Sequence, residues 1–315
     1  MHRLAIVVVN YRTPDLVLQL LGHLSEQVMP GQDVVVVVDN CSGDGSADLI
    51  EDGIRNRGWG EWAEIVRSPV NGGFSAGNNL GMQRCEASLY LLMNSDTYPR
   101  PGAIAELLQA AEANPDYGML GPRLEDEDGS VQVSAFRFHT PLSEVDQAIA
   151  VAPLSRLLSP RAVSVAPSDT PEPAEWLSFA CILIHREVLA AVGYMDDGYF
   201  MYFEDDDFCR MAATHGHRCL RWPAARVVHL RGKSSPVKRL TAARARLPAY
   251  YYESRSRYFL KWHGVLGWFL PNLAWQVGTV LDLLRRCMPG RTGRVPAWRF
   301  IDVWRIGSRR RSTPP

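Results

Sequence analysis

Five valines in succession, Val34 to Val38, stand between Asp33 and Asp39. A run this short, apolar and β-branched suits a strand buried on both faces, the position of a central strand in a parallel sheet. Leu4 to Val9 repeats the pattern and stops at Asn10. Ile65-Val66 reads as a short third strand, and Leu89 to Met93 as a fourth, closed by Asn94-Ser95-Asp96. Between them, Leu16, Leu20, Leu21 and Leu24 recur at helical spacing, and Ser46 is placed to cap a second helix. The stretch Asn71 to Asn79 leads into a third helix, and Ala103 to Glu112 reads as a fourth. Strands alternating with helices predict an α/β class fold, a mostly parallel sheet flanked by helices on both faces. Ligands of such sheets bind beyond the carboxyl ends of the strands. Asn10, Asp39, Asn71 and Asp96 all follow strand ends, so they are expected to converge on one edge.

From Asp116 onward the pattern loosens. Ser155 to Pro173 is rich in Pro, Ser and Ala and reads as a mobile loop or lid. Trp176 to His185 reads as a strand, Arg186 to Val192 as a short helix, Glu204 to His215 as a helix and Arg226 to Leu230 as a strand. Beyond about Pro236 the chain is helical and basic.

At 315 residues the chain is long enough for one large domain or two. Its 34 basic and 34 acidic side chains cancel, which gives no overall argument for nucleic acid as a partner. Their distribution is uneven, with Arg291 to Arg311 strongly basic. The six cysteines are scattered without a C-x-x-C pair, so they read as reduced thiols of a cytoplasmic protein. The first apolar run ends at Asn10 and is too short for a signal peptide. Gly264 to Leu284 is an apolar stretch of 21 residues, interrupted by Pro271, Asn272, Gln276 and Asp282. Its length would just span a bilayer, but those residues argue against a clean span. With Arg285-Arg286 after it, it suits an interfacial helix on an anionic inner leaflet, hence a peripheral location at the inner face of the cell membrane. The other reading is an amphipathic helix packed on the domain or on a second subunit of a homo-oligomer.

The chemistry concentrates in Tyr199 to Arg210, where Glu204, Asp205, Asp206 and Asp207 stand side by side. Crowded carboxylates repel one another, which can raise the pKa of one of them towards the range a general base needs. The competing reading is a helix N-terminus, where acidic residues are favoured by the dipole. Asp39 suits a ribose hydroxyl or a nucleobase N–H, or else simply forms a turn. The Gly72-Gly73 and Gly77 stretch lets backbone approach a ligand, and the helix start after it favours an anion. Asp96, a single carboxylate at a strand end, meets the requirement of Mg²⁺ or Mn²⁺ bound through one or two carboxylates and substrate phosphates. His229 suits Mn²⁺ better than Mg²⁺, although a lone strand histidine is more often structural. A dehydrogenase should show G-x-G-x-x-G after the first strand, where Asn10-Tyr11-Arg12-Thr13-Pro14 stands instead. Neither a P-loop nor a serine nucleophile elbow is present.

Taken in order, these stretches resemble glycosyltransferase family 2, the inverting enzymes of GT-A fold, and within it a rhamnosyltransferase-like bacterial branch. The matching segments are Val8 to Tyr11, Val38 to Ser46, Asn71 to Asn78, Asn94 to Asp96, Phe200 to Asp207 and His229 to Ser235. The resemblance implies that Asn10, Tyr11 and Asp39 hold the base and ribose of a nucleotide-sugar. Asn71, Gly72, Phe74 and Asn78 then line the nucleotide and sugar side, with Trp176 also on the substrate side. Asp96 is the surviving acid of the family's D-x-D motif, with Asn94 in the first place and Ser95 between them. His229 resembles an additional metal ligand. Asp205 is implied as general base and Glu204 as the residue orienting the acceptor, with exchange of the two roles left open; the roles of Asp206 and Asp207 are also left open, cap and surface residues being one reading. Where the family usually has Gly, this chain has Phe179, which is expected to narrow the sugar pocket.

The resemblance thus implies a GT-A domain over residues 1–235, with a nucleotide-sugar half to about 115, an acceptor half from 116, and a helical basic extension over 236–315. Its implied activity is metal-dependent transfer of a sugar, rhamnose from dTDP-rhamnose or a sugar from a UDP donor, to a cell-surface glycan or lipid-linked saccharide. Two alternatives stand beside it. A sugar-nucleotide nucleotidyltransferase should carry a Gly-rich loop with Arg and Lys after the first strand, which is missing here. A catalytically silent nucleotide-sugar-binding partner of another transferase is disfavoured by the intact Asp96 and Asp205.

Overall fold

The computed structural model describes residues 1–149, 162–230, 237–287 and 298–307. The expected segment from Ser155 to Arg161, and Arg231 to Ser235 of the sixth matching stretch, lie outside the described residues. The chain forms two compact units that alternate along the sequence. One comprises Met1–Phe136, Ser164–Asp197 and Asp205–Ser234; the other Arg137–Val163, Gly198–Glu204 and Ser235–Pro315. The second unit is therefore drawn from three stretches, not from the C-terminal one alone.

The first unit begins with strand β1 (His2–Asn10), helix α1 (Pro14–Leu24), β2 (Asp33–Asp39), α2 (Ser46–Asn56), β3 (Ala63–Arg67), α3 (Gly73–Arg84) and β4 (Ala87–Asn94). There follow β5 (Thr97–Pro99), α4 (Ala103–Ala113), β6 (Tyr117–Glu125) and β7 (Ala135–Phe136). In the second unit α5 (Pro141–Ile149) comes next. The first unit resumes with β8 (Glu172–Ala174), β9 (Trp176–Leu177), β10 (Cys181–His185) and α6 (Arg186–Val192), then α7 (Glu204–Thr214) and β11 (Arg218–His229). The second unit closes with α8 (Val237–Ala242), α9 (Ala249–Arg286) and α10 (Arg299–Asp302).

The main sheet runs β3-β2-β1-β4-β10-β6-β11-β5, with β8 paired to β11. Pairings from β3 to β4 and between β6 and β11 are parallel, and β10 enters antiparallel between β4 and β6. The parallel strands are buried throughout their centres: Ile6, Val8, Val35, Val37 and Leu91 form one apolar cluster with Leu20, Leu21 and Leu107 of the covering helices. Helix α3 covers β1 at close range, because a Cβ on Gly81 would lie 2.3 Å from Val7 Cγ1 and one on Gly77 3.0 Å from Val9 Cγ1. Gly77 thus serves helix–strand packing. Ser46 also departs from expectation. It is the first helical residue of α2, Gly45 occupies the cap position, and the Ser46 hydroxyl donates to Asp44.

Strand β6 has no counterpart in the sequence reading. Gly118 and Gly121 and Pro122 interrupt its apolar run, yet the glycine is needed: a Cβ on Gly118 would stand 2.6 Å from Val188 Cγ2 of α6. Strand β11 is longer than expected, since its register slips between Trp222 and Arg226 and blurs the alternation of side chains. Buried Glu125 at the end of β6 accepts from Arg100 Nε at 2.8 Å and Arg226 Nε at 2.9 Å. Burial favours its protonated form, but those bonds outweigh it and hold the pKa below the usual carboxylate range. All six cysteines are free thiols.

In the second unit, α5 packs on α9 around a buried ion pair. Arg255 Nε donates to Glu144 Oε2 at 2.9 Å, and the Trp275 indole donates to the same oxygen at 3.0 Å. Burial alone would raise the Glu144 pKa, but Arg255, Arg299 and His139 outweigh it and bring the value to about 2. Helix α9 is kinked at Gly264, whose φ of 65° and ψ of −172° are not helical. Among the described residues no helix is long and apolar enough to cross a membrane.

Candidate active site

Register places three polar residues side by side where parallel strands end. Asn10 of β1 is opposite Asp39 of β2, and the neighbouring Val9 is opposite Asn94 of β4. The expected convergence of Asn10 and Asp39 is thus a consequence of pairing. Both are buried. Asn10 Nδ2 donates to Asp39 Oδ1 at 2.7 Å, and the Ser42 hydroxyl donates to the same oxygen at 2.6 Å. The Ser42 N–H reaches the other carboxylate oxygen at 3.1 Å. On its far side, Asn10 Oδ1 accepts from the N–H of Thr13, whose hydroxyl reaches Ser95 Oγ at 3.0 Å. A carboxylate held by three donors is fixed in direction, which is what recognition of a pair of hydroxyls or a base edge demands.

The loops beyond these strands are bent. Arg12 and Cys41 both have positive φ, 59° and 58°, which non-glycine residues adopt rarely and mostly where function requires it. Tyr11 is half-exposed with the Arg12 guanidinium over its ring. Asn40 brackets the next loop: its amide donates to Asn71 Oδ1 at 3.1 Å and to the Gly73 carbonyl at 2.9 Å, and its oxygen accepts from Gly72 N–H at 3.2 Å. Asn71 and Gly72 are thereby set at the start of α3. Phe74 is partly exposed there, whereas Asn78 is buried one turn on and donates to the Phe74 carbonyl at 3.0 Å. Thr13, Asn40 and Ser42 were not singled out from the sequence. Their roles are bonds to partners in other loops, and only the Asn-Cys-Ser following Asp39 hinted at them.

Asp96 and His229 meet although 133 positions separate them. Strand β5 pairs antiparallel with β11, setting Thr97 opposite His229, and the Leu230 N–H donates to the Asp96 carbonyl. His229 Nε2 then lies 3.7 Å from Asp96 Oδ1. The Gln132 amide donates to the His229 carbonyl at 2.8 Å and steadies the strand end. Among the described residues no group of three or more His, Cys, Asp or Glu is assembled for a metal ion. Two such ligands nevertheless suit a hard cation that takes its remaining oxygens from a diphosphate and water. The buried Asn94 Oδ1 has no hydrogen-bond partner among the described residues, so it adds an available oxygen beside them.

The four carboxylates open α7. Glu204, Asp206 and Asp207 are buried, which rules out the surface reading of the last two; Asp205 alone of the four is partly open to solvent. Asp205 Oδ1 accepts from the Asp206 N–H at 3.0 Å. The two residues before the helix, Tyr202 and Phe203, both have positive φ, 73° and 66°, a second strained turn at the chemistry. Phe208 anchors α7 edge-on to Phe179, ring centroids 5.9 Å apart. Phe179 is therefore a buried support of this helix. Trp176 is likewise buried, stacked on Phe136 at 4.1 Å.

Residues 5–150 match the glycosyl transferase family 2. The chain is 31% identical over 183 residues to the N-acetylglucosaminyl-diphospho-decaprenol L-rhamnosyltransferase of Mycobacterium tuberculosis, a match taking in 57% of this chain and 59% of that protein. It is 26% identical over 215 residues to the low-salt glycan biosynthesis hexosyltransferase Agl10 of Haloferax volcanii, covering 66% of this chain and 61% of the relative. Both matches span less than two thirds of the relative's own length. Among solved structures, the mannosyltransferase PcManGT of Pyrobaculum calidifontis, in complex with GDP-Man and Mn²⁺, superposes with a TM-score of 0.57 at 14% identity, covering 92% of this chain and 76% of that one. TarS 1-349 of S. aureus with UDP-GlcNAc gives 0.54 at 17% identity, covering 88% and 71%. At such identities the likeness is one of fold, and the fold is the mostly parallel α/β sheet of GT-A proteins.

Proposed function

We propose, from the premise that residues 5–150 belong to glycosyltransferase family 2, that the protein transfers a sugar from a nucleoside-diphosphate donor to a saccharide acceptor with inversion at the anomeric carbon. Supporting this is the row Asn10-Asp39-Asn94 at one sheet edge, the first two buried, with Asp96 and His229 paired across the β5–β11 ladder. Asp39, oriented by Asn10 and Ser42, takes the ribose or base. Asn71, Gly72 and Phe74 line the sugar side. Asp96 and His229, with Asn94, would hold a Mg²⁺ or Mn²⁺ ion, which supplies positive charge to the departing diphosphate. Asp205 takes the proton of the acceptor hydroxyl as that oxygen bonds to the anomeric carbon. The bond from that carbon to the nucleoside diphosphate breaks with its electron pair. Glu204 orients the acceptor. The donor is dTDP-rhamnose and the acceptor lipid-linked, which is supported by the rhamnosyltransferase relative.

The test is Asp205→Asn, assayed by nucleoside-diphosphate release from dTDP-rhamnose with a lipid-linked disaccharide or monosaccharide acceptor. Turnover falls by about 10²- to 10⁴-fold while dTDP affinity holds. Unchanged turnover would refute the base role. A wild-type chain that binds dTDP but turns over no donor would favour the silent partner.

A further inference from the structure

Beyond its kink at Gly264, helix α9 shows solvent a face whose fully exposed residues are all apolar. Nine residues between 265 and 284 are exposed, and every one is Val, Leu or Phe. Val265, Leu266, Leu270, Leu273, Val277 and Leu284 mark the stripe, with Leu266 at 73% exposure and Leu284 at 58%. At 100° per residue these positions fall within one arc of the helix. Of the polar residues that interrupt the stretch, only Gln276 falls within that arc, and it is half-buried. Asn272 and Asp282 are buried, Gln276 donates to the Phe300 carbonyl and Thr279 to that of Trp275. The first of those bonds sets α10 beside α9, where Trp298, Phe300 and Ile301 are exposed as well.

A single-sided apolar stripe of this size does not stay in water without a partner. The charge around it identifies the chemistry of that partner. Residues 236–315 carry sixteen Lys and Arg against three Asp and Glu, a net +13 in a chain whose total is zero. Arg239 and Arg244 are exposed within the same unit, and Arg305, also exposed, is paired with Asp302. An apolar face within a unit this rich in cations, with an exposed Trp, is what an anionic bilayer surface accepts: acyl chains under the stripe and lipid phosphates on the arginines. We propose that the exposed face of α9, with α10, is a membrane-docking surface for anionic lipid, lying in the interface and not crossing it. This deepens the proposed function, whose acceptor is lipid-linked, by naming the surface that meets the lipid.

The experiment is co-sedimentation of the full chain with vesicles of phosphatidylcholine alone or mixed with phosphatidylglycerol, comparing wild type with Leu266→Gln/Leu270→Gln. Both changes lie on exposed helix positions, so helix content by circular dichroism is retained. The wild type binds the anionic vesicles, salt weakens that binding, and the double variant binds at least about tenfold more weakly. Equal binding of the two proteins overturns the proposal, as does absence of wild-type binding. So does light scattering that shows a wild-type dimer dissolved by the substitutions, since a second copy would then be the occupant. A dTDP titration of the same two proteins separates this surface from the donor site: the variant binds nucleotide as the wild type does whichever way the vesicles decide.

Discussion

Asp39 is the residue on which the strand-end cluster turns. It is buried and accepts from Asn10, the Ser42 hydroxyl and the Ser42 N–H. Asp39→Ala strips the Asn10 amide and the Ser42 hydroxyl of their acceptor. We expect a loss of about 1–3 kcal/mol in urea unfolding and a dTDP affinity too weak to titrate. Asp39→Asn keeps one acceptor oxygen and should restore most of the stability but not the affinity. Retained affinity in both variants would remove Asp39 from the donor site. Asn10 and Asp39 were legible in the sequence because a buried strand must stop at a polar residue, and the strand period says where. Asn40 was not, since its three bonds reach Asn71, Gly72 and Gly73, more than 30 positions away. Phe179 was legible as a departure but not as a support, because the ring it meets, Phe208, sits in a distant helix.

At the scale of elements, the parallel half of the sheet was readable and the other half was not. Strands β1, β2 and β4 are continuous apolar runs, and their burial on both faces is what writes that pattern. Strand β6 is equally buried but carries Pro122 and two glycines, Gly118 and Gly121, that close packing requires and strand propensity does not. Helix α3 makes the same trade. Gly81→Ala would press a methyl to 2.3 Å from Val7 Cγ1. The expected cost is about 1–3 kcal/mol, measured by denaturant unfolding. Gly60→Ala, with nothing within 4 Å of the added Cβ, serves as the control and should stay within about 0.5 kcal/mol. Equal effects at the two positions would mean that α3 does not lie on β1 as described. Between α5 and α9, Arg255→Met would leave Glu144 charged and buried, at a cost of about 3–5 kcal/mol. A smaller loss for Arg255→Met/Glu144→Leu than for the single change is the expected signature of that pair.

At the scale of the molecule, three buried carboxylates set the response to acid. Glu125 in one unit, and Glu144 and Asp302 in the other, all have depressed pKa values, Glu144 from 4.5 to about 2. A depressed carboxylate contributes stability above its unfolded pKa and loses it as the pH falls through the folded one. Stability should therefore hold near neutrality and drop between about pH 4.5 and pH 2, with Glu144 accounting for on the order of 3 kcal/mol. Melting followed at descending pH checks this, and Glu144→Gln should flatten the fall while lowering the neutral value. The proposed metal-assisted nucleoside-diphosphate site draws on both ends of the first unit, from Asn10 to His229. Melting the protein with UDP, dTDP and GDP, each with and without Mn²⁺, in the wild type and in Asp96→Ala, is its sharpest test. A ligand held only by the folded state at about one hundred times its Kd adds about 2.7 kcal/mol. We expect a rise of several degrees with dTDP or UDP that needs Mn²⁺ and disappears in Asp96→Ala; no rise with any nucleotide, or one indifferent to both metal and Asp96, would contradict the proposed site.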